Sequence, residues 1–82
     1  MIDVTLKFFA VAREIAGKEE TVLTLESNST VSSVLEVLVH RYPRFADWKK
    51  SLRVAVNFEY VSMEHVLSDR DEVAVIPPVS GG

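Results

Sequence analysis

Cysteine is absent from this 82-residue chain. That one absence excludes disulfides, thiolate metal ligands and any cysteine nucleophile or persulfide. Positive charge is short as well: nine Lys and Arg stand against twelve Asp and Glu, a formal net charge of −3. Nucleic-acid binding favours a basic face that neutralises phosphates, so that partner class is set aside. No apolar run approaches the roughly 20 residues needed to span a bilayer. The start, Met1-Ile2-Asp3-Val4-Thr5-Leu6-Lys7, lacks the basic stretch and long apolar run of a signal peptide. A soluble cytoplasmic protein without membrane partners is the expectation. Proline and glycine are scarce, at three each, while 48% of residues are hydrophobic and 26% charged, which argues for a folded chain over a disordered one. The length allows one domain. A domain of this size buries only about 60–65% of its unfolded surface, leaving little stability for an elaborate cleft.

The apolar residues that are present fall into clear periods. Ile2, Val4, Leu6 and Phe8 alternate with Asp3, Thr5, Lys7 and Phe9, a strand with one wholly apolar face. Phe9 falls on the other face. Residues 11–17 read as a short helical turn or loop carrying Arg13 and Glu14, and residues 20–25 as a second strand. Thr30 is placed to cap a helix whose stripe is Val31, Val34, Leu35, Leu38 and Tyr42, and Pro43 stops it. Phe45 and Trp48 are expected to pack an irregular segment beneath the sheet. Leu52, Val54 and Val56 mark a third strand, Tyr60-Val61 a short fourth segment, residues 68–71 a turn, and residues 72–76 the last strand. The order β-β-α-β-(β)-β predicts an α+β fold: a mixed sheet of four or five strands with one main helix packed on one face. A β-grasp, ubiquitin-like architecture fits that order, with a domain over residues 1–76 and an extended, flexible tail over residues 77–82.

The tail is the most informative stretch. Two of the three glycines occupy positions 81 and 82, directly after Pro77-Pro78-Val79-Ser80. At ordinary glycine usage a Gly-Gly pair at a given position arises about once in 200 chains. Two prolines make a stiff extended exit from a sheet. Six extended residues reach roughly 20 Å. Glycine has no Cβ, so a narrow channel can close on the backbone and the terminal carbonyl carbon stays open to nucleophiles. A slender reactive carboxyl on a stiff spacer is the functional reading; a cloning scar or a frayed end is the bland one.

Other constellations are weaker. His40 and His65 stand far apart with no neighbouring histidine or cysteine, so no metal site is expected. Asp69, Asp71 and Glu72 make an acidic turn without the glycine and distal glutamate of a calcium loop, and read as a solvated turn. Ser27, Ser29, Ser32 and Ser33 have no Gly-x-Ser-x-Gly elbow and suit capping.

Phe8-Phe9-Ala10, Arg13-Glu14, Gly17, Ala55-Val56-Asn57, Leu67-Ser68-Asp69-Arg70-Asp71-Glu72-Val73-Ala74 and Pro77-Pro78-Val79-Ser80-Gly81-Gly82 together carry a resemblance. In that order they are similar to molybdopterin synthase small subunits, MoaD-like sulfur carriers of the ubiquitin-like β-grasp family. The likeness runs the full length, with residues 30–50 matching only in pattern. It implies that the Gly82 carboxylate is adenylated by an E1-like adenylyltransferase using ATP and Mg, and then converted to a thiocarboxylate. That group donates sulfur to cyclic pyranopterin monophosphate inside a large catalytic subunit, in a two-plus-two heterotetramer. By the same resemblance the chain is not an enzyme on its own and binds no cofactor.

Phe9, Tyr60 and Ile76, with Arg13 at the edge, correspond by position to the family's hydrophobic docking patch. An apolar group on the solvent face of a sheet favours an interface; the alternative is that Phe9 packs on the stem of Arg13 or on the first loop. Three other roles stay open at this point. The chain is a sulfur carrier for thiamin thiazole or another thio-cofactor, a ubiquitin-like modifier of protein lysines, or a plain interaction domain with an inert tail.

Overall fold

The computed structural model describes residues 1–78. Among them five strands form one mixed sheet in the order β2-β1-β5-β3-β4. These are β1 (Ile2–Phe8), β2 (Glu20–Leu25), β3 (Arg53–Val56), β4 (Glu59–Tyr60) and β5 (Glu72–Ile76). Helix α1 (Val11–Ala16) lies in the first connection and α2 (Val31–Arg41) after β2. A 3₁₀ helix, Pro43–Asp47, follows α2. The α+β β-grasp expectation therefore holds, with five strands and one main helix.

Alternation dictates the hairpin. Ile2, Val4, Leu6 and Phe8 are buried along β1, as are Leu23 and Leu25 on β2, and the antiparallel register sets Ile2 opposite Leu25. The strand β5 then pairs parallel to β1, Phe8 with Val75, and antiparallel to β3, Val54 with Val75. This puts Val73 and Val75 at the centre of the sheet, both fully buried.

Helix α2 covers the inner face with Val31, Val34, Leu35 and Leu38, which join the strands in one hydrophobic cluster. Its first amide groups would be orphans. Ser33 N donates to the Thr30 hydroxyl at 3.4 Å, and Val31 N and Ser32 N donate to the carbonyls of His65 and Met63 at 3.0 and 2.9 Å. Thr30 thus caps the helix as its position suggests, and residues 63–65 are held against the helix start by the same bonds.

The segment expected to be irregular is ordered, because Pro43 has the φ a helical first turn requires and no amide hydrogen to lose. It inserts Phe45 fully into the core. Phe45 stacks against Phe8 with centroids 6.2 Å apart, and Tyr42 meets both rings edge-on at 6.0 and 6.5 Å. Such pairs add about 0.5–1.5 kcal/mol beyond their burial. The trio fixes the last residue of β1 and so fixes the direction in which the next residue, Phe9, emerges. No described helix is long and apolar enough to cross a membrane.

Candidate functional site

Among the described residues, no helix covers the outer face of the sheet. Its side chains follow from the register. Lys7 pairs with Ala74, Ala74 with Ala55, and Ala55 with Tyr60, so these four form one row across β1, β5, β3 and β4. Two alanines in the middle of the row leave the face low there. Phe8 pairs with Val75 inside the core, so Phe9 and Ile76, one residue further along neighbouring strands, come out side by side on the outer face.

The result is a hollow of about 270 Å³ with Ala55 and Ala74 as its floor and Phe9, Ile76, Tyr60 and Phe58 around it. Phe9 is 47% exposed and Tyr60 65% exposed. Three of the four residues expected to form a patch are thus brought around one hollow. Phe9 keeps about half of its surface exposed and lines a second groove beside Arg13.

Arg13 does not line the hollow. It sits on α1 and lines an adjoining groove of about 700 Å³ together with Phe9, Trp48, Ile76, Pro77 and Pro78. Its guanidinium lies 3.5 Å from Glu19, with both side chains largely exposed. Arg13 therefore lies beside the hollow and not on it. Phe9 and Ile76 border both depressions.

Ala10 starts α1 with φ 50° and ψ −127°, and Ala12 N donates to the Phe9 carbonyl at 2.9 Å. These are the angles of the first central position of a type II′ turn, a position that favours glycine. The turn reverses the chain directly after Phe9, which leaves that ring free of the strand's continuation. At the other end of α1, Gly17 takes φ 74° and its amide closes the helix on the Arg13 carbonyl at 2.8 Å.

Phe58 was not among the expected site residues. It is 89% exposed and occupies, with Asn57, the two-residue turn between β3 and β4, at φ 73° and 51° respectively. Positive φ at both central positions defines a type I′ turn, where Asn is at ease and Phe is not. The sequence Asn57-Phe58 lacks the usual glycine, so nothing in it marks the turn.

Electrostatics on the face are local. Lys7 Nζ lies 3.0 Å from Glu72, and the Glu72 hydrogen bond and charge raise the lysine above its ordinary value of 10.5. The Arg53 guanidinium lies 5.9 Å from the Tyr60 ring centroid. The acidic turn is structural rather than merely solvated. Asp71 accepts from Ser68 N at 2.8 Å and from Asn57 Nδ2 at 2.9 Å, while Asp69 accepts from Asp3 N at 2.8 Å. Among the described residues, no three His, Asp or Glu side chains are grouped to hold a metal ion.

The tail begins at this site. Ile76 ends β5 on the rim of the hollow, Pro77 is buried, and Pro78 is exposed in the groove. Val79, Ser80, Gly81 and Gly82, the remainder of the expected tail and its reactive end, lie outside the described residues.

Comparison with known proteins places the chain in context. The ThiS family profile matches residues 6–82. The molybdopterin synthase sulfur carrier subunit of Arabidopsis thaliana is 35% identical over 81 residues, covering 99% of this chain and 84% of that protein. The small archaeal modifier protein 1 of Methanosarcina acetivorans is 32% identical with a TM-score of 0.82, covering 100% of this chain and 98% of the other. A chain from the complex of subunits 1 and 2 of the Helicobacter pylori molybdopterin-converting factor superposes with a TM-score of 0.69 at 21% identity, over 99% of this chain and 100% of the other. At that identity the last likeness speaks for the fold alone.

Proposed function

The chain belongs to the ThiS family, and from that premise we propose that it is the sulfur carrier subunit of a molybdopterin synthase. The relative from Arabidopsis thaliana bears that name across 99% of this chain, which favours the pterin pathway over a thiazole one. The reacting group is the carboxylate of Gly82, and the family profile runs through that residue. An E1-like enzyme joins the carboxylate to AMP from ATP, with Mg, turning a poor acyl donor into one with a good leaving group. The persulfide's outer sulfur displaces AMP at the acyl carbon to give an acyl disulfide, and a thiol then attacks the donor's sulfur, releasing the thiocarboxylate and leaving a disulfide on the donor. The thiocarboxylate enters the large subunit and passes its sulfur to cyclic pyranopterin monophosphate. The chain supplies the acyl group and the docking face, and the large subunit supplies the catalytic side chains. Two copies of each subunit make the assembly, and its place is the cytoplasm.

The observation that carries this reading is the position of Ile76. It borders the hollow and ends β5, and Pro77 and Pro78 continue from it. A protein seated on Phe9, Tyr60 and Ile76 therefore receives the chain as it leaves the sheet, with Arg13 beside it. Four more residues extend about 13–14 Å. That distance delivers Gly82 into a recess whose rim rests on the hollow, and without Cβ atoms Gly81 and Gly82 pass through a narrow opening.

The test is intact mass spectrometry after incubation with ATP, Mg, the activating enzyme and a sulfur donor. Exchange of one oxygen for sulfur is expected, followed by dithiolene formation once the large subunit and pterin precursor are added. An unchanged mass sinks the carrier reading. Sulfur gain without dithiolene points to another thio-cofactor. The likeness to a small archaeal modifier protein makes a second arm necessary: adducts on protein lysines through Gly82 mark a modifier.

A further inference from the structure

Phe58 is out of place by two physical measures at once. Its ring is 89% exposed, and its backbone takes φ 73°, where a bulky L-residue is strained by roughly 1–3 kcal/mol. Asparagine, aspartate or glycine at the same position removes both penalties. A residue that is unfavourable to the free protein in both respects has its favourable contact elsewhere.

The geometry indicates where. Phe58 borders the same hollow as Phe9, Tyr60 and Ile76. Phe9 follows the end of β1 and Phe58 sits in the β3–β4 turn, with β5 and β3 between them. The sequence-expected patch already reaches β4 through Tyr60, and Phe58 adds a second aromatic ring at the tip of that last hairpin. The left-handed pair Asn57 and Phe58 keeps the hairpin to two residues, with Val56 directly opposite Glu59. A tight turn holds the ring at the edge of the hollow instead of on a longer loop.

What covers this face follows from where the chain goes. Ile76 borders the hollow and leads into Pro77 and Pro78, so the protein that takes the residues beyond must rest its rim on these side chains. We propose that Phe58 is a further anchor for the large subunit of the synthase, its ring entering an apolar recess of that partner across the hollow from Phe9. This rests on the sulfur-carrier reading. The low alanine floor between the two rings accepts an apolar side chain from the partner in return. Buried aromatic anchors carry a large share of an interface's affinity, while exposed charged pairs such as Lys7 with Glu72 add little.

The prediction has opposite signs for the free and the bound protein. Phe58→Asn puts a residue suited to φ 73° into the turn, so the thermal midpoint of the free chain rises by about 4 °C or more. Affinity for the purified large subunit, measured by calorimetry with the full chain, falls by about tenfold or more. Phe58→Leu keeps an apolar group and retains part of the affinity. If Phe58→Asn binds within twofold of the parent while Phe9→Asp abolishes binding, the role of Phe58 is overturned and the docking face stands. If both variants bind within twofold, the docking face falls as well. Sedimentation of the free chain covers the other occupant. A dimer that Phe58→Asn dissociates, with partner affinity unchanged, overturns the proposal in favour of a second copy of this chain.

Discussion

Ala55 on β3 and Ala74 on β5 are register partners on the outer face of the sheet, and only their methyl groups stand between Lys7 and Tyr60 in that row. Larger residues there would level the face. Ala74→Leu fills the hollow from its floor, in a strand position that tolerates apolar side chains, so stability of the free chain changes by about 0.5 kcal/mol or less. Affinity for the large subunit falls by about tenfold or more, because a protruding partner side chain loses its recess. Calorimetric titration with parallel thermal melts checks both halves. Unchanged affinity shows that nothing enters the hollow.

Asp71 ties two separate segments together, the turn over residues 68–71 and the β3–β4 turn. It accepts from Ser68 N and Asn57 Nδ2, and Asn57 in turn bonds both ways with Glu72, its Oδ1 accepting from Glu72 N at 3.0 Å and its N donating to the Glu72 carbonyl at 2.8 Å. The network joins the β3–β4 turn to the start of β5. Hydrogen bonds to a charged acceptor contribute about 1.5–3 kcal/mol, with exposure favouring the low end. Asp71→Ala therefore destabilises the fold by about 2 kcal/mol, read as a lower urea midpoint with an unchanged denaturant slope. Asp71→Asn loses less, since one acceptor oxygen remains.

The strands were legible because each has one face in the core. In β1 the alternation of Ile2, Val4, Leu6 and Phe8 with polar residues sets both its limits and its orientation. Thr30 and Pro43 bracket α2 by chemistry that is local to the chain. Ile76 could be placed beside Phe9 once the two strands were taken as neighbours. Phe58 escaped notice for the opposite reason: it falls in the break between the third strand and Tyr60, and a type I′ turn without glycine gives no local sign that its aromatic ring is held toward the sheet face. Asp71 escaped because its partner Asn57 is fourteen residues away in sequence, and the contact exists only after β3 and β5 have paired. What the sequence hides here is side-chain traffic between elements, not the elements.

The Lys7–Glu72 pair gives the folded state a signature at high pH. Its hydrogen bond and charge raise the Lys7 pKa above 10.5 in the folded chain. A raised basic pKa means the folded state holds its proton more tightly, so the stabilisation is complete below 10.5 and is lost as pH climbs through the raised folded value. The pair is exposed, so the effect is small and is screened by salt. Unfolding curves of the parent and of Lys7→Met should converge as pH rises through that region. A constant gap between them shows that the ion pair contributes nothing to folding.

Ala10 offers the clearest route to a more stable protein. Its φ of 50° with ψ −127° suits glycine, because a Cβ there crowds the backbone. The conformation is imposed from both sides. Phe8 is locked in the aromatic trio, Ala12 and Ala16 of α1 are buried, and the hydrogen bond from Ala12 N to the Phe9 carbonyl closes the turn between them. Strain of this kind is worth roughly 1–3 kcal/mol. Replacing alanine with glycine also frees the unfolded chain, which costs about 0.4–1 kcal/mol. The difference favours the variant, so Ala10→Gly raises stability by about 1 kcal/mol, a gain of roughly 4–8 °C in thermal midpoint for a domain of this size. Ala10→Val should move the other way, since a β-branched side chain worsens the same crowding. Because the turn aims Phe9, the glycine variant also tests whether rigidity there matters to docking. Greater stability with unchanged partner affinity assigns the turn a folding role, and greater stability with weakened affinity makes the strained alanine part of how Phe9 is held.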